Sequence, residues 1–123
     1  MGKWRDGTAE LLIPGHDGPV GLRIAASSRA RRRGLLGRDG IDGAIMLTPC
    51  AGVHTFRMRF AIDVAYLDKE LRVVHVHTMN PGRLGMIRLR ARHVLEAEAG
   101  AMAAWGLAPG MRVAIRTPGR GDP

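Results

Sequence analysis

The run from Ile62 to Leu67 constrains the fold most, because it is apolar and β-prone on both faces and only Asp63 interrupts it. Such a run is typical of a central strand that is buried on both sides of a sheet. It predicts that the Asp63 carboxylate is carried into the interior, where it needs a partner. We expect that partner to be Arg38 or Arg59, in an ion pair that fastens a helix or loop to the sheet.

The segment before this run alternates with a period of two. Its even-numbered members are His54, Phe56, Met58 and Phe60, so residues 53–60 are predicted as a half-buried strand with His54 pointing inward. Alternating or apolar patterns predict further strands at residues 3–13, 20–25, 44–47, 71–79, 86–97 and 111–117. Two short helices are predicted at residues 29–36 and 99–105.

Many short strands and few helices indicate a mainly β, single-domain fold over residues 1–123, an antiparallel β-barrel or sandwich of the jelly-roll type. A turn at Asp68–Glu70 is predicted to pair the central strand with the next one and to set His75 opposite Asp63. Residues 118–123 are rich in Gly and Pro and are expected to be frayed.

The net charge of +8 comes from 17 Arg and only 2 Lys, with a concentration of Arg in residues 29–38. The simplest role of this segment is a solvated surface, with weak, salt-sensitive binding to polyanions. Aromatic residues, which readers of single-stranded nucleic acid use for stacking, make up only 4% of the chain. No apolar run is long enough for a membrane span or follows the N-terminus as in a secretory signal, so a cytoplasmic location without a membrane partner is expected.

Five short motifs follow one another along the chain: GLLGR at 34–38, C-x-x-x-H-T-F-x-M at 50–58, IDVAYLD at 62–68, VLEAEAG at 94–100 and G-x-x-x-G at 106–110. Together they resemble domain of unknown function family 192, a family of small bacterial and archaeal proteins. The resemblance covers residues 20–116 and implies a compact, mainly β domain without an established activity. The chain departs from the family pattern at Glu70, where members usually carry Gly, and at Met111, where they usually carry Asp. The positions that the resemblance singles out are Gly34, Leu35, Arg38, His54, Met58, Asp63, Leu95, Glu96 and Gly100.

Four of these positions define a candidate pocket at the mouth of the barrel: His54, Asp63, Glu96 and Arg38. Strict strand alternation points Glu96 outward. The pocket therefore requires a bend or bulge in the chain near Leu95.

Two kinds of chemistry are alternatives to simple binding. Cys50 is the only cysteine, and His54 could lower its pKa to make a nucleophile. His75 and His77 share one strand face and could donate two metal ligands, but no third is fixed by spacing, so no stoichiometric metal or other cofactor is expected. The leading hypothesis is a non-catalytic module that binds a small ligand or a protein. The alternative is a hydrolytic or metal-dependent enzyme that uses His54 with Asp63 or Cys50.

Overall fold

The computed structural model describes residues 4–117. In this range seven strands form one sheet in the order β5-β4-β6-β3-β2-β1-β7, with two short helices. The mainly β prediction is confirmed, while the frayed tail at 118–123 lies outside the described residues. The elements in chain order are β1 (Gly7–Leu12), β2 (Val20–Ala25), α1 (Ser28–Arg33), β3 (Ala44–Leu47), β4 (Ile62–Leu67), β5 (Val73–Met79), β6 (His93–Glu98), α2 (Ala101–Ala104) and β7 (Ala114–Arg116).

One strand pair is parallel. β2 and β3 run in the same direction, whereas the other neighbouring strands are antiparallel. The prediction of an antiparallel sheet is therefore wrong at this one junction. A parallel pair needs a crossover, and the chain makes it through α1 and residues 34–43, which lie between the two strands in sequence.

The sheet curls until its two edges meet at one end. The backbone N–H of Val73 donates to Met111 O at 2.7 Å, Gly110 N donates to Val73 O at 2.8 Å, and Val113 N donates to Leu71 O at 3.0 Å. These bonds join the start of β5 to the segment before β7. The result is a half-barrel made of one curled sheet, and the jelly-roll sandwich is not confirmed.

Both faces of the sheet are covered by apolar side chains. We call the cluster inside the curl, which includes Leu11, Met46, Leu95 and Met102, the inner cluster. The outer cluster lies on the opposite face and is made by the side chains Ala25, Leu35, Ile45, Leu47, Val53, Met58, Ile62, Val64, Tyr66, Met79 and Val94. Coverage on both sides explains why every residue of β3 and β4 is buried.

Residues 53–60 form a loop instead of the predicted strand. Only one isolated bridge, between His54 and Leu84, connects this loop to another segment. The alternation has the opposite phase at its start, since Val53 and Thr55 are buried while His54 is exposed. The inward orientation predicted for His54 is therefore wrong.

The same pairing displaces the strand predicted over residues 86–97. Thr55 N donates to Arg83 O and Gly85 N donates to Val53 O, so the two loops satisfy each other's backbone groups away from the sheet. β6 begins only at His93.

The hairpin after the central strand turns where it was predicted, but its register differs. Asp68 Oδ1 accepts from the backbone N–H groups of Glu70 and Arg72, at 2.8 Å and 3.0 Å, which lengthens the loop. Tyr66 consequently pairs with His75 in the sheet. The predicted juxtaposition of His75 with Asp63 is wrong.

No helix among residues 4–117 is long and apolar enough to cross a membrane. The two helices contain six and four residues. The interpretation of the chain as one domain stays a prediction.

Candidate functional site

Asp63 lies on the inner face of β4 with its carboxylate fully bonded. The strand is central and buried, and Asp63 itself is 4% exposed. Its Oδ1 accepts from Thr78 Oγ1 at 2.6 Å, and its Oδ2 accepts from the backbone N–H groups of Gly100 and Met102 at 2.9 Å and 3.1 Å. The first turn of a helix leaves backbone N–H groups without partners, and Asp63 satisfies two of them at α2. Asp63 therefore joins β4 to β5 and to α2.

The arginines predicted as partners of Asp63 lie elsewhere. Arg59 pairs with Asp39 at 3.1 Å on the surface. Arg38 is half-buried in a hollow beside Asp6 and Arg23, at the edge of α1. Among residues 4–117 no salt bridge to Asp63 is found, so the predicted ion pair is wrong.

Glu96 is buried on the other face of the sheet. Its paired neighbours are Ile45 on β3 and Val64 on β4, which both belong to the outer cluster. β6 pairs continuously from residue 93 to residue 98, without the bend expected near Leu95. Strand alternation does turn Glu96 away from Leu95, as predicted, but the outer cluster leaves it only 5% exposed.

The Glu96 carboxyl lacks the bonds that Asp63 has. No side chain or backbone group of the described residues donates a hydrogen bond to it or forms an ion pair with it. Burial alone raises the pKa of Glu96 to about 7. The carboxyl group is therefore largely protonated between pH 4.5 and about 7, where an ordinary Glu is ionised.

A cleft of about 160 Å³ opens beside Glu96. The end of β3, the loop after it and α1 surround the cleft and bring together Cys50, His54 and Arg31. Most of the remaining walls are apolar. The other lining residues are Arg32, Arg33, Gly34, Leu35, Leu36, Leu47, Pro49, Gly52, Val53 and Met58.

Arg31 is a lining residue that the sequence reasoning treated as part of a solvated surface. Its Nη1 donates to Pro49 O at 3.0 Å and its Nη2 donates to Ser28 Oγ at 3.3 Å, which ties α1 to the loop after β3. The helix that carries it begins with a Ser27 cap, whose Oγ accepts from Ala30 N at 3.1 Å. The signal in the sequence was weak, because Ser27 or Ser28 as a cap locates the start of the helix without showing which arginine contacts the loop after β3.

Cys50 is half-buried, and its thiol is not activated. Its Sγ donates to Gly52 O at 3.1 Å. Burial raises the pKa of the Cys50 thiol, and the nearby Glu96 adds to that rise, while Arg31 opposes it. A nucleophilic cysteine needs a lowered pKa, so this environment is the opposite of an activated thiolate.

His54 lies at the rim of the cleft with its ring exposed. The His54 Nδ1 accepts from Phe56 N at 3.3 Å, and the two rings stack with centroids 5.0 Å apart. The structure thus brings together His54, Glu96 and Cys50 from the predicted set. Asp63 lies on the opposite face, and Arg38 lies in the neighbouring hollow.

His75 and His77 share one face of β5 as predicted, with ring centroids 5.0 Å apart. Their neighbour is the Tyr66 ring, whose hydroxyl lies 3.5 Å from His77 Nε2. Burial lowers the pKa of His77, and His75 and Arg88 add to this. Within the described part of the chain there is no group of three or more His, Cys, Asp or Glu residues that could hold a metal ion.

Comparison with known proteins places this fold among uncharacterised relatives. The model of the family described as Uncharacterized ACR, which is domain of unknown function family 192, matches residues 11–115. A UPF0127 protein of Pyrococcus horikoshii is 34% identical over 84 residues, which are 64% of this chain and 73% of that protein. A UPF0127 protein of Pyrococcus abyssi is 32% identical over 84 residues, 64% of this chain and 72% of that protein.

Two crystal structures are similar in fold. A protein of unknown function from Novosphingobium aromaticivorans has a TM-score of 0.73 and 18% identity, over 85% of this chain and 83% of that one. A protein from Sinorhizobium meliloti, proposed to be a transcription regulator, has a TM-score of 0.74 and 17% identity, over 93% of this chain and 98% of that one. At these identities the likeness is one of fold alone.

Proposed function

Because the chain belongs to domain of unknown function family 192, for which no activity is established, we propose from its own geometry that it is a non-catalytic module that binds a small ligand in the cleft beside Glu96. The observation that carries this proposal is Glu96, a residue only 5% exposed, whose carboxyl group has no hydrogen-bond partner among residues 4–117 and lines an open cleft. The Glu96 oxygens are not among the fully buried unpaired atoms of the described residues, so they reach the cleft, where a ligand can form a hydrogen bond with them.

The size of the cleft limits the ligand. Sites for drug-sized molecules and cofactors occupy about 300–1,000 Å³. A cleft of about 160 Å³ is too small for a nucleotide or a flavin. The ligand is a compound of a few carbon atoms, or the end of a longer molecule.

The lining indicates the chemistry of that ligand. Leu35, Leu47 and Met58 offer an apolar wall. The arginines of α1 at the cleft repel a cationic head group and favour a neutral or anionic one. A protonated Glu96 can donate its O–H to an acceptor oxygen. The ligand that fits is a short aliphatic amide or carboxylate.

The catalytic alternative has less support. His54 and Asp63 lie on different sides of the sheet, and the Asp63 oxygens already accept three hydrogen bonds. The Cys50 thiol has a raised pKa. Binding of the arginine-rich segment 29–38 to polyanions, binding of a protein partner and a cytoplasmic location all stay predictions.

Three probes of equal length test the proposal: butyramide, butyrate and butylamine, each titrated into the protein and followed by amide chemical shifts in NMR spectra. We expect the amide and the carboxylate to shift signals at Cys50 and Glu96, and the amine to shift neither. Their affinity should fall by about tenfold as the pH rises through 7, because Glu96 then loses the proton it donates.

Two variants complete the test. Glu96→Leu should abolish binding and still fold, because its neighbours are apolar. Glu98→Leu, an equal change at an exposed position of the same strand, should leave binding unchanged. Equal affinity of Glu96→Leu and the wild type, or a preference for butylamine, would refute the proposed site.

A further inference from the structure

Large apolar side chains are exposed in one short segment. Leu84, Met86, Ile87 and Leu89 are each 71–95% exposed, and all lie within six residues. We call these four side chains the apolar ridge. Single exposed apolar residues are common on protein surfaces, but a contiguous set marks an interaction surface.

The ridge is held in place by backbone bonds to the facing loop. Gly85 N donates to Val53 O at 2.7 Å, and Arg88 N donates to Ala51 O at 2.9 Å. Leu84 also forms the isolated bridge with His54. A surface that is already ordered costs little conformational entropy when it binds.

The flanks of the ridge are basic. Arg83, Arg90 and Arg92 are exposed beside it. Arg88 covers the Tyr66 ring at 5.4 Å and so stays with the protein. The sequence has no acidic residue from position 71 to position 95. Asp68 and Glu70 lie beside Leu89, together with Lys69, so basic groups remain in excess around the ridge.

From these features we propose that the apolar ridge docks onto an anionic lipid surface, with its side chains in the interfacial region and the three exposed arginines at the head groups. Clusters of basic residues beside exposed apolar side chains bind anionic bilayers peripherally, without a membrane span. This role is separate from ligand binding in the cleft, and it replaces the expectation, based on the lack of a membrane span, that the protein has no membrane partner.

Two other occupants fit the ridge less well. A second copy of the chain would bring two positively charged surfaces together, against a net charge of +8 on each. A protein groove would need preformed pockets for side chains as prominent as Leu89, which is 95% exposed. A lipid surface is deformable, and it provides anionic head groups for the arginines and an apolar layer below them for the ridge.

Co-sedimentation with phosphatidylcholine vesicles tests the proposal, with and without about 30% phosphatidylserine. We expect binding only to the anionic vesicles. The double variant Met86→Ser, Leu89→Ser should bind about tenfold more weakly, because it loses apolar insertion while keeping every charge. In the single variant Leu89→Trp, the added indole emission should shift to shorter wavelength when the vesicles are present.

A charge-matched pair separates docking by the ridge from attraction of the whole protein. Arg90→Glu with Arg92→Glu should weaken binding much more than Arg5→Glu with Arg23→Glu, which makes the same charge change at exposed positions elsewhere. Three results would overturn the proposal: no binding to anionic vesicles, equal losses in the two arginine pairs, or a dimer in analytical ultracentrifugation that only the Met86→Ser, Leu89→Ser variant disrupts.

Discussion

The two faces of the sheet each bury one carboxyl group, but only one of the two groups is hydrogen-bonded by the protein. On the inner face Asp63 accepts from Thr78, Gly100 and Met102. On the outer face Glu96 has no such partner among the described residues, and burial raises its pKa to about 7. Both groups are almost equally hidden from solvent, at 4% and 5% exposure. Burial alone therefore does not distinguish a structural acid from a functional one.

What distinguishes them is whether the fold satisfies the group. A carboxylate with three donors stabilises the elements that supply them, and we assign Asp63 to the fold. Burial makes the ionised form of Glu96 unfavourable, and acids with a raised pKa beside a cleft commonly lie at a binding site.

Asp63→Ala should reduce the free energy of unfolding by about 3–5 kcal/mol, because it removes three hydrogen bonds to a carboxylate and leaves the buried Met102 N–H unsatisfied. Chemical denaturation measures this. Asp63→Asn keeps one acceptor oxygen, so its free energy of unfolding should fall by less. A loss below about 1 kcal/mol in Asp63→Ala would mean that the donors find other partners, and the assignment of Asp63 to the fold would then be wrong.

Glu96→Gln should increase the free energy of unfolding, by an amount that depends on pH. As the pH rises past 4.5, the unfolded chain loses this proton first, so the native protein becomes less stable until the folded pKa of about 7 is reached. Above that pH the variant should be more stable than the wild type by about 3 kcal/mol, and near pH 4 the two should be similar. Denaturation at several pH values checks this. A constant difference would contradict the raised pKa.

The reactivity of Cys50 should also depend on the charge of Glu96, with a smaller effect. The ionised Glu96 raises the pKa of the thiol, so Glu96→Gln should speed alkylation of Cys50 by iodoacetamide at about pH 8 by roughly two- to fivefold. The denatured proteins provide the control and should react at equal rates. An unchanged rate in the folded variant would show that the two groups are not coupled across the cleft.

His54→Ala should have the smallest effect on stability, within about 0.5 kcal/mol, because the ring is exposed. If His54 pointed inward, its replacement by Ala would reduce the free energy of unfolding by several times that amount. Thermal unfolding separates the two cases. Phe56→Ala serves as a control, since it removes the ring against which His54 stacks.

Sequence patterns located the elements well where side-chain burial decides the structure. β2 and β3 have the predicted bounds, and β4 is central and buried as its apolar run predicted. Sequence patterns failed where hydrogen bonds between distant segments determine the local structure. Residues 53–60 alternate as a strand does, yet their backbone bonds go to residues 83 and 85, and the phase is reversed.

The candidate site shows the same division. The resemblance to the family selected both Asp63 and Glu96 without showing that they lie on opposite faces. The expected partner of Asp63 was an arginine because charge is visible in a sequence, whereas two of its three partners are backbone N–H groups at α2, 37 and 39 residues away. Backbone donors carry no residue signature, so no pattern could have identified them.

The sequence alone was enough to predict a mainly β fold, the central strand and the burial of Asp63, because these follow from local periodicity and from the transfer of apolar side chains out of water. The tertiary structure decided the rest. The crossover through α1 and the loop at residues 50–60 cover the outer face, and this coverage turns the outward-pointing Glu96 into a buried acid beside Cys50 and His54. Periodicity indicates which face a side chain takes, but what covers that face depends on contacts between residues far apart in sequence.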